Sequence, residues 1–591
     1  MVFPEPKHEK YFDDLYVLKK TYDTSDLFCF WKAVKDGTKD ISYVTNDSFT
    51  VDEYELIIAS DGIKISSFGD EGKFRAVTSL RQLLFDCRDK ICFAEIHDAP
   101  QFKKRAYMLD ISNKRVPLVS TLKDFIDKLA ELKYNELQLY MDSFCFKYEA
   151  YPFVTEDVDC LTAEDIKEID SYCEERFIEL VPNQNGFGHM FQWLKRPEFA
   201  HLAVGDHSIG TLNVLMPESL EFMENIYESL LPHFKSGYVN IGLDEATGLG
   251  KYQLEKVCEE KGRDTVFMEW LNKLNDICKT KYNKKVMFWD DMIVDYAGSF
   301  DKIPKDATVM SWSYELIQSQ MWAERVMPYE EKGLRFYMCC CNALWDTFTG
   351  RSDVMSFNLR AAGEIGRKHG AEGYMLTDWG CKSHPTFLPF GYIACALAGQ
   401  YSWNPGIKQT GGYPKNEYVY AAREYADKYM FKVKIANLIS RLSDYYMYEP
   451  ERPFGVTCSF ESVYYPMETK KFEPWFDMTN FGDTTPFYFN NVINHIEKVI
   501  SDIRKVNMDS YTKREIILNA EMVILGARLM LHRDDPDDIP FIRKTIDLID
   551  YIAEEYEELW LRRNFKSGVE GFVNVLLRKK NQLNEMISKQ K

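Results

Sequence analysis

Between residues 101 and 408 the sequence repeats one pattern eight times: a short apolar run, a polar turn, and an amphipathic stretch. The runs are AYMLDI, ELQLYM, IELVP, YVNIGL, KVMFWDD, TVMSW, RFYMCCC and GYMLTD. The intervening stretches supply covering helices. TLKDFIDKLAELKYN places Leu122, Phe125, Ile126, Leu129 and Leu132 on one stripe, and the segment opened by the capping-box pair Thr162 and Asp165 runs on through Ile166, Ile169, Cys173 and Phe177. Eight strand-and-helix units over about 300 residues predict an α/β chain built around a (β/α)8 TIM barrel.

The flanks differ from this repeat. Residues 1–100 predict a small N-terminal α/β domain, because EYELIIAS and IKISSF alternate around the hairpin signal Asp61-Gly62. The following GKFRAVTSLRQLLFD sets Phe74, Val77, Leu80 and Leu84 on one helical face that can cover the sheet. Residues 409–591 predict a C-terminal helical domain, from NNVINHIEKVISDIRKV, REIILNAEMVILGARLMLH and FIRKTIDLIDYIAEEYEELWLRRN. Their stripes suit packing on the barrel or on a second copy of the chain, so a homodimer is one expectation.

Charge narrows the partners. Acids outnumber bases by 92 to 73, a formal net charge of -19, which repels phosphate backbones and anionic lipid. Nucleic acid and membrane partners are therefore not expected. The opening MVFPEPKHEKYFDD lacks the apolar core of a secretory leader, and no run of eighteen apolar residues occurs, which predicts a soluble, cytoplasmic protein. Fourteen cysteines, including the consecutive Cys339, Cys340 and Cys341, lack the spacing of a disulfide framework or a zinc site and read as reduced, buried thiols. No cofactor is expected.

In such a barrel, reactive groups gather where the strands end. The candidates there are Asp110, Asp142, His189, the adjacent Asp244 and Glu245, Trp289 with Asp290 and Asp291, Trp312, Asn342 with Trp345 and Asp346, and Asp378 with Trp379. An ordinary strand end explains one exposed and one paired acid. Four tryptophans and several carboxylates at one mouth point instead to a sugar-sized pocket with aromatic walls.

GYVNIGLDEATG resembles the strand-4 Asp-Glu signature of family 20 glycoside hydrolases, the β-N-acetylhexosaminidases. In the same order RAYMLDIS is similar to the opening of their barrel, LVPNQNGFGH to their strand 3 and VMFWDD to their strand 5, while GKFRAVTSLRQLL resembles the last helix of their preceding α/β domain. The likeness spans about residues 50 to 405. It implies release of terminal β-linked N-acetylglucosamine or N-acetylgalactosamine by a retaining route in which the substrate's own acetamido oxygen is the nucleophile. Glu245 would be the acid/base, kept protonated by burial and the adjacent charge; Asp244 would orient the acetamido group and stabilise the oxazolinium ion. Trp289, Trp312, Trp345 and Trp379 would wall the sugar, and Asp346, His189, Asp142 and Arg105 would bind it or organise the site.

The chain departs from the family pattern at several points. After Asp110, Ile111 and Ser112 it reads Asn113, Lys114 and Arg115, leaving open which cation replaces the usual strand-1 arginine. Asn185 stands where an aspartate is common, Cys381 where a glutamate is, and the strand-7 tyrosine has no counterpart. Three alternatives remain: a disaccharide-releasing (lacto-N-biosidase-type) relative, a non-catalytic sugar-binding barrel, and a metal enzyme using Asp110, Asp142, Asp244 and Asp290.

Overall fold

The structure, a computed structural model, describes residues 2–87, 89–112, 114–406, 417–469, 471–472, 476–478 and 484–589. The N-terminal part holds β1 (His8–Val17), β2 (Ile41–Thr45), β3 (Tyr54–Ala59), β4 (Gly62–Ser67) and β5 (Lys90–Asp98) in the order β1-β5-β3-β4-β2. The expected hairpin is β3 and β4, closed at the pair Ala59 and Gly62. Two helices accompany the sheet, α1 (Leu27–Val34) and α2 (Asp70–Leu84), and α2 buries Phe74, Val77, Leu80 and Leu84 as its periodicity requires.

The eight apolar runs form the eight strands of a closed parallel barrel. They are β6 (Lys104–Asp110), β7 (Glu136–Met141), β8 (Glu179–Gln184), β9 (Tyr238–Asn240), β10 (Lys285–Trp289), β11 (Thr308–Trp312), β12 (Arg335–Cys341) and β13 (Gly373–Asp378), with β13 pairing back to β6. Of the covering helices, α3 (Val119–Glu131) buries the Leu122 stripe, and α4 (Ala163–Glu174) carries both bonds of the capping box between Thr162 and Asp165. Inward-facing Ala106, Met108, Tyr140, Val181, Met287, Trp289, Met310, Tyr337, Cys339 and Met375 fill the barrel, so it is a packed core rather than a pore.

Beyond the barrel the chain is mainly helical, with long helices at Thr485–Arg504, Ser510–Asp534, Ile539–Trp560 and Val569–Lys589 and one short ribbon, β14 (Lys471–Phe472) with β15 (Phe476–Asp477). The expected junction at 408/409 lies outside the described residues. This region docks on the barrel, where Arg563 O accepts from Leu118 N at 2.8 Å and Asn519 Oδ1 from Phe387 N at 3.2 Å. All fourteen cysteines are free; most are buried, and Cys29 alone is fully exposed. Among the described residues no helix is long and apolar enough to cross a membrane.

Candidate active site

The Asp-Glu pair sits on a turn that the backbone alone would avoid. β9 leaves its ladder after Asn240, and Gly242, Leu243 and Glu245 take φ values of 70°, 76° and 45°. Non-glycine residues in this region cost on the order of 1 kcal/mol or more each and persist only where the surroundings impose them. Here the surroundings are side chains. Asn185 Oδ1 accepts from Leu243 N at 3.2 Å, and Asp291 Oδ2 accepts from Glu245 N at 2.8 Å. Gly188 closes the fit, because a Cβ there would lie 2.0 Å from Asp244 O. The NGFGH segment therefore serves as a mould for the carboxylate turn.

The two acids meet different environments. The Asp244 side chain is nearly buried and its Oδ1 accepts from Asn185 Nδ2 at 2.7 Å, whereas the Glu245 side chain is 56% exposed. His189 Nε2 stands between them, 3.2 Å from Asp244 Oδ2 and 3.3 Å from Glu245 Oε2. Burial pulls its imidazolium down, but the two carboxylates override this and hold it well above the usual histidine range. The expectation that the protein buries Glu245 is corrected: its side chain faces solvent.

Two further carboxyls crowd the turn. Asp142 is pushed up to about 7, first by burial and then by the Asp110 charge, with His189 opposing. Asp110 is itself held by Ser112 N, Ser112 Oγ and Gly380 N at 2.7–2.9 Å. Asp291 is likewise pushed up to about 7, by burial and then by Asp244. It is the second acid of VMFWDD, a strand-end candidate to which the family resemblance gave no role.

Aromatic rings line the opening. Trp312 stacks on Tyr314 with centroids 4.9 Å apart, Tyr314 tilts against Trp345 at 5.3 Å, and Trp379 Nε1 donates to Tyr314 OH at 2.8 Å. Trp312 Nε1 donates to Asp291 Oδ1 at 3.3 Å, which ties the wall to the carboxylate turn. Trp312, Trp345 and Trp379 are partly exposed. Trp289 is not: it belongs to the barrel's interior, fully buried, with its ring 5.7 Å from that of Trp379. Its expected place on the pocket wall is corrected to support beneath that wall. Tyr314, two residues past Trp312 in SWSY, is a further member of the wall that lies beyond the strand end.

Next to Trp345 the rim carries Asp346, at φ 48°, with Oδ2 3.6 Å from Lys382 Nζ. Lys382 also donates to Glu461, from the helix Cys458–Tyr464 of the C-terminal region. Nothing in the sequence links residue 461 to the mouth, since only docking of that region brings it there.

Arg105 is a correction. It lies near the start of β6, at the far end of the barrel, fully buried, and donates to Asp52 Oδ2 at 2.9 Å and to the carbonyls of Lys133 and Phe102. Arg115 is also committed, to Thr386 O at 2.9 Å and Asp378 Oδ2 at 3.4 Å, while Lys114 is exposed. Asn113 lies outside the described residues. Cys381 is a partly buried thiol, pushed up by burial and by the charges of Asp346 and Asp110.

Residues 102–348 match the glycosyl hydrolase family 20 catalytic domain. That stretch runs from just before β6 to just past β12, so β13 and everything after it lie outside the match. A β-hexosaminidase of Emericella nidulans is 23% identical over 326 residues, 49% of this chain and 53% of that one. The β-hexosaminidase subunit alpha of Mus musculus is 24% identical over 294 residues, 45% and 54% of the two chains. The chain thus spans about half the length of the relatives it matches. Among solved structures, an exo β-N-acetylglucosaminidase from Vibrio harveyi in complex with N-acetylglucosamine shares the fold with a TM-score of 0.57 at 18% identity, covering 73% of this chain and 78% of that one. A chitobiase from Flavobacterium johnsoniae gives 0.59 at 16% identity over 98% and 99% of the chains, so the likeness of fold includes the C-terminal helices.

Proposed function

We infer, from a barrel that belongs to glycosyl hydrolase family 20, that this chain is an exo-acting β-N-acetylhexosaminidase working by substrate assistance. The observation that carries the reading is the adjacent pair on one imposed turn: a nearly buried Asp244 and a solvent-facing Glu245 beneath a wall of Trp312, Tyr314, Trp345 and Trp379. A sugar closing that opening would shed water from Glu245 and strengthen every charge contact beside it.

Glu245 then passes its proton to the departing glycosidic oxygen, while the acetamido carbonyl oxygen attacks the anomeric carbon and the glycosidic bond breaks. Asp244, kept in place by Asn185, accepts the acetamido N–H and faces the positive charge of the oxazolinium ion. Water next attacks the anomeric carbon, Glu245 takes its proton, and the ring opens with net retention. His189, bridging both acids, keeps their oxygens apart and fixes their orientation. The substrates proposed are small oligosaccharides with terminal N-acetylglucosamine or N-acetylgalactosamine, and the proposed place of action is the cytoplasm.

The test compares aryl β-glycosides that differ only at the 2-position, acetamido against hydroxyl, in gluco and galacto forms. Turnover of the acetamido sugars alone supports the mechanism; equal turnover of the 2-hydroxyl sugars removes Asp244 from its assigned role.

A further inference from the structure

The rim of the opening contains a cation, Lys382, that the mechanism does not use. Lys382 lies on the loop after β13, with its ammonium between Asp346, which follows Trp345 on the β12 loop, and Glu461 on the C-terminal helix. The ring faces of Phe460 and Tyr464 flank Nζ at 5.6 and 5.8 Å. Its backbone is fixed as well: φ is 44°, and Lys382 O accepts from Tyr464 OH at 2.5 Å. The side chain is nevertheless 31% exposed, and an ammonium has three donors for the two acids that hold it.

We propose that Lys382 reads a hydroxyl of the bound sugar on the side away from the glycosidic bond, and that Glu461 and Asp346 are the positioning residues that aim it. The proposal rests on the hexosaminidase reading of the same opening. It makes the C-terminal region part of the specificity apparatus, because Glu461 is fully buried and comes from beyond the stretch that matches the family. Two acids around one base favour a neutral hydroxyl over an anionic substituent. Glu461, pushed up to about 6 by burial against the opposing Lys382 charge, is consistent with that balance. Asp346 Oδ1 and Glu461 Oε2 are buried while Lys382 is partly exposed, so Lys382 is the member of the cluster that can face a ligand.

The test uses p-nitrophenyl N-acetyl-β-glucosaminide and its 4-deoxy and 6-deoxy analogues with wild type, Lys382→Met and Glu461→Gln. In the wild type, removing the hydroxyl that Lys382 reads lowers kcat/KM by about 10-fold or more, the size of a hydrogen bond to a charged group. In Lys382→Met the same deletion changes kcat/KM less than about 3-fold, and Glu461→Gln raises KM with kcat nearly unchanged. A Lys382→Met enzyme that keeps the full deoxy penalty overturns the proposal. So does a wild type that prefers a 6-O-sulfated substrate over the neutral one. If Lys382→Met does not fold, the wild-type series still decides, since indifference to both hydroxyls sinks the assignment. Should the wild type hydrolyse none of these sugars, the proposed function fails instead; calorimetric binding of N-acetylglucosamine and its deoxy analogues to wild type and Glu461→Gln then reads the subsite without turnover.

Discussion

The two ends of the barrel hold charge in opposite ways. At the end where the strands begin, three buried cations are paired with anions, while Lys284 donates to the carbonyls of Phe234 and Ser236. Arg105 and Arg75 share Asp52 at 2.9 Å, and Lys133 Nζ lies 3.2 Å from Asp98, which also accepts from Tyr54 OH and Trp403 Nε1. Although burial pulls the other way, the two guanidiniums hold Asp52 well below the usual carboxylate range. At the end where the strands finish, carboxyls crowd carboxyls: Asp142 beside Asp110, Asp291 beside Asp244, and Asp244 beside Glu245. The backbone divides in the same way. Left-handed Lys133, Phe177 and Asn283 follow helix ends, where such a residue is ordinary, while Leu243, Glu245, Ala343, Asp346, Lys382, Ser383 and His384 crowd the strand-end loops. One end is arranged for stability; the other tolerates local repulsion and strain, as functional sites do.

The sharpest way to break this contrast is Glu245→Gln. It should lower kcat on a poor leaving group by about 10²- to 10⁴-fold, with less loss on an activated aryl glycoside, and it should not lower the melting temperature because it relieves like-charge crowding. Single-turnover kinetics beside thermal unfolding check both halves. Arg105→Met is the mirror case: stripping Asp52 of one partner should cost about 3 kcal/mol in urea unfolding, with kcat of the folded enzyme unchanged within about twofold. If Arg105→Met instead abolishes turnover without loss of stability, the division between the ends fails. Asn185→Asp would place a third carboxyl against Asp244 and should reduce kcat/KM by about 10-fold at neutral pH, measured on the acetamido substrate.

The smallest effect lies away from both ends. Lys579, nearly buried and donating to Tyr465 O, is lowered from 10.5 to about 6, by burial first and then by Arg533. Because the unfolded chain binds that proton more tightly, its contribution to stability is present above 10.5 and is lost as the pH falls towards 6. Lys579→Met should therefore flatten the pH dependence of unfolding across this window and raise stability by about 1 kcal/mol at neutral pH, where solvent access and relaxation moderate the effect. Calorimetric melting at pH 6, 8 and 10 would show it.

The barrel was legible because each strand is a run whose neighbours in sequence also set its covers, so local periodicity carried the fold. Asp244 and Glu245 were legible because a strand end needs no long-range information. Arg105 was misplaced, since its chemistry alone does not tell whether it faces the mouth or Asp52, fifty-odd positions earlier in the chain. Trp289 and Trp379 both sit at strand ends, but Trp289 is the last ladder residue of β10 and points inward, while Trp379 lies one residue past β13. Glu461 had no local signal at all. Its place follows from the docking of a helix, a fact that no window of sequence contains.

The loop after β13 joins these themes through time. Three successive left-handed residues, Lys382, Ser383 and His384, are held by groups that the ribosome makes later: Tyr464 on Lys382 O, Asn519 on Pro385 O, and Gly571 against Ser383. Domains fold broadly in the order they are synthesised. The barrel has all eight strands by residue 378, yet its mouth acquires these ties only as the final helices dock. A nascent chain thus passes through a stage that has its staves but not its hoop, and the pocket matures last.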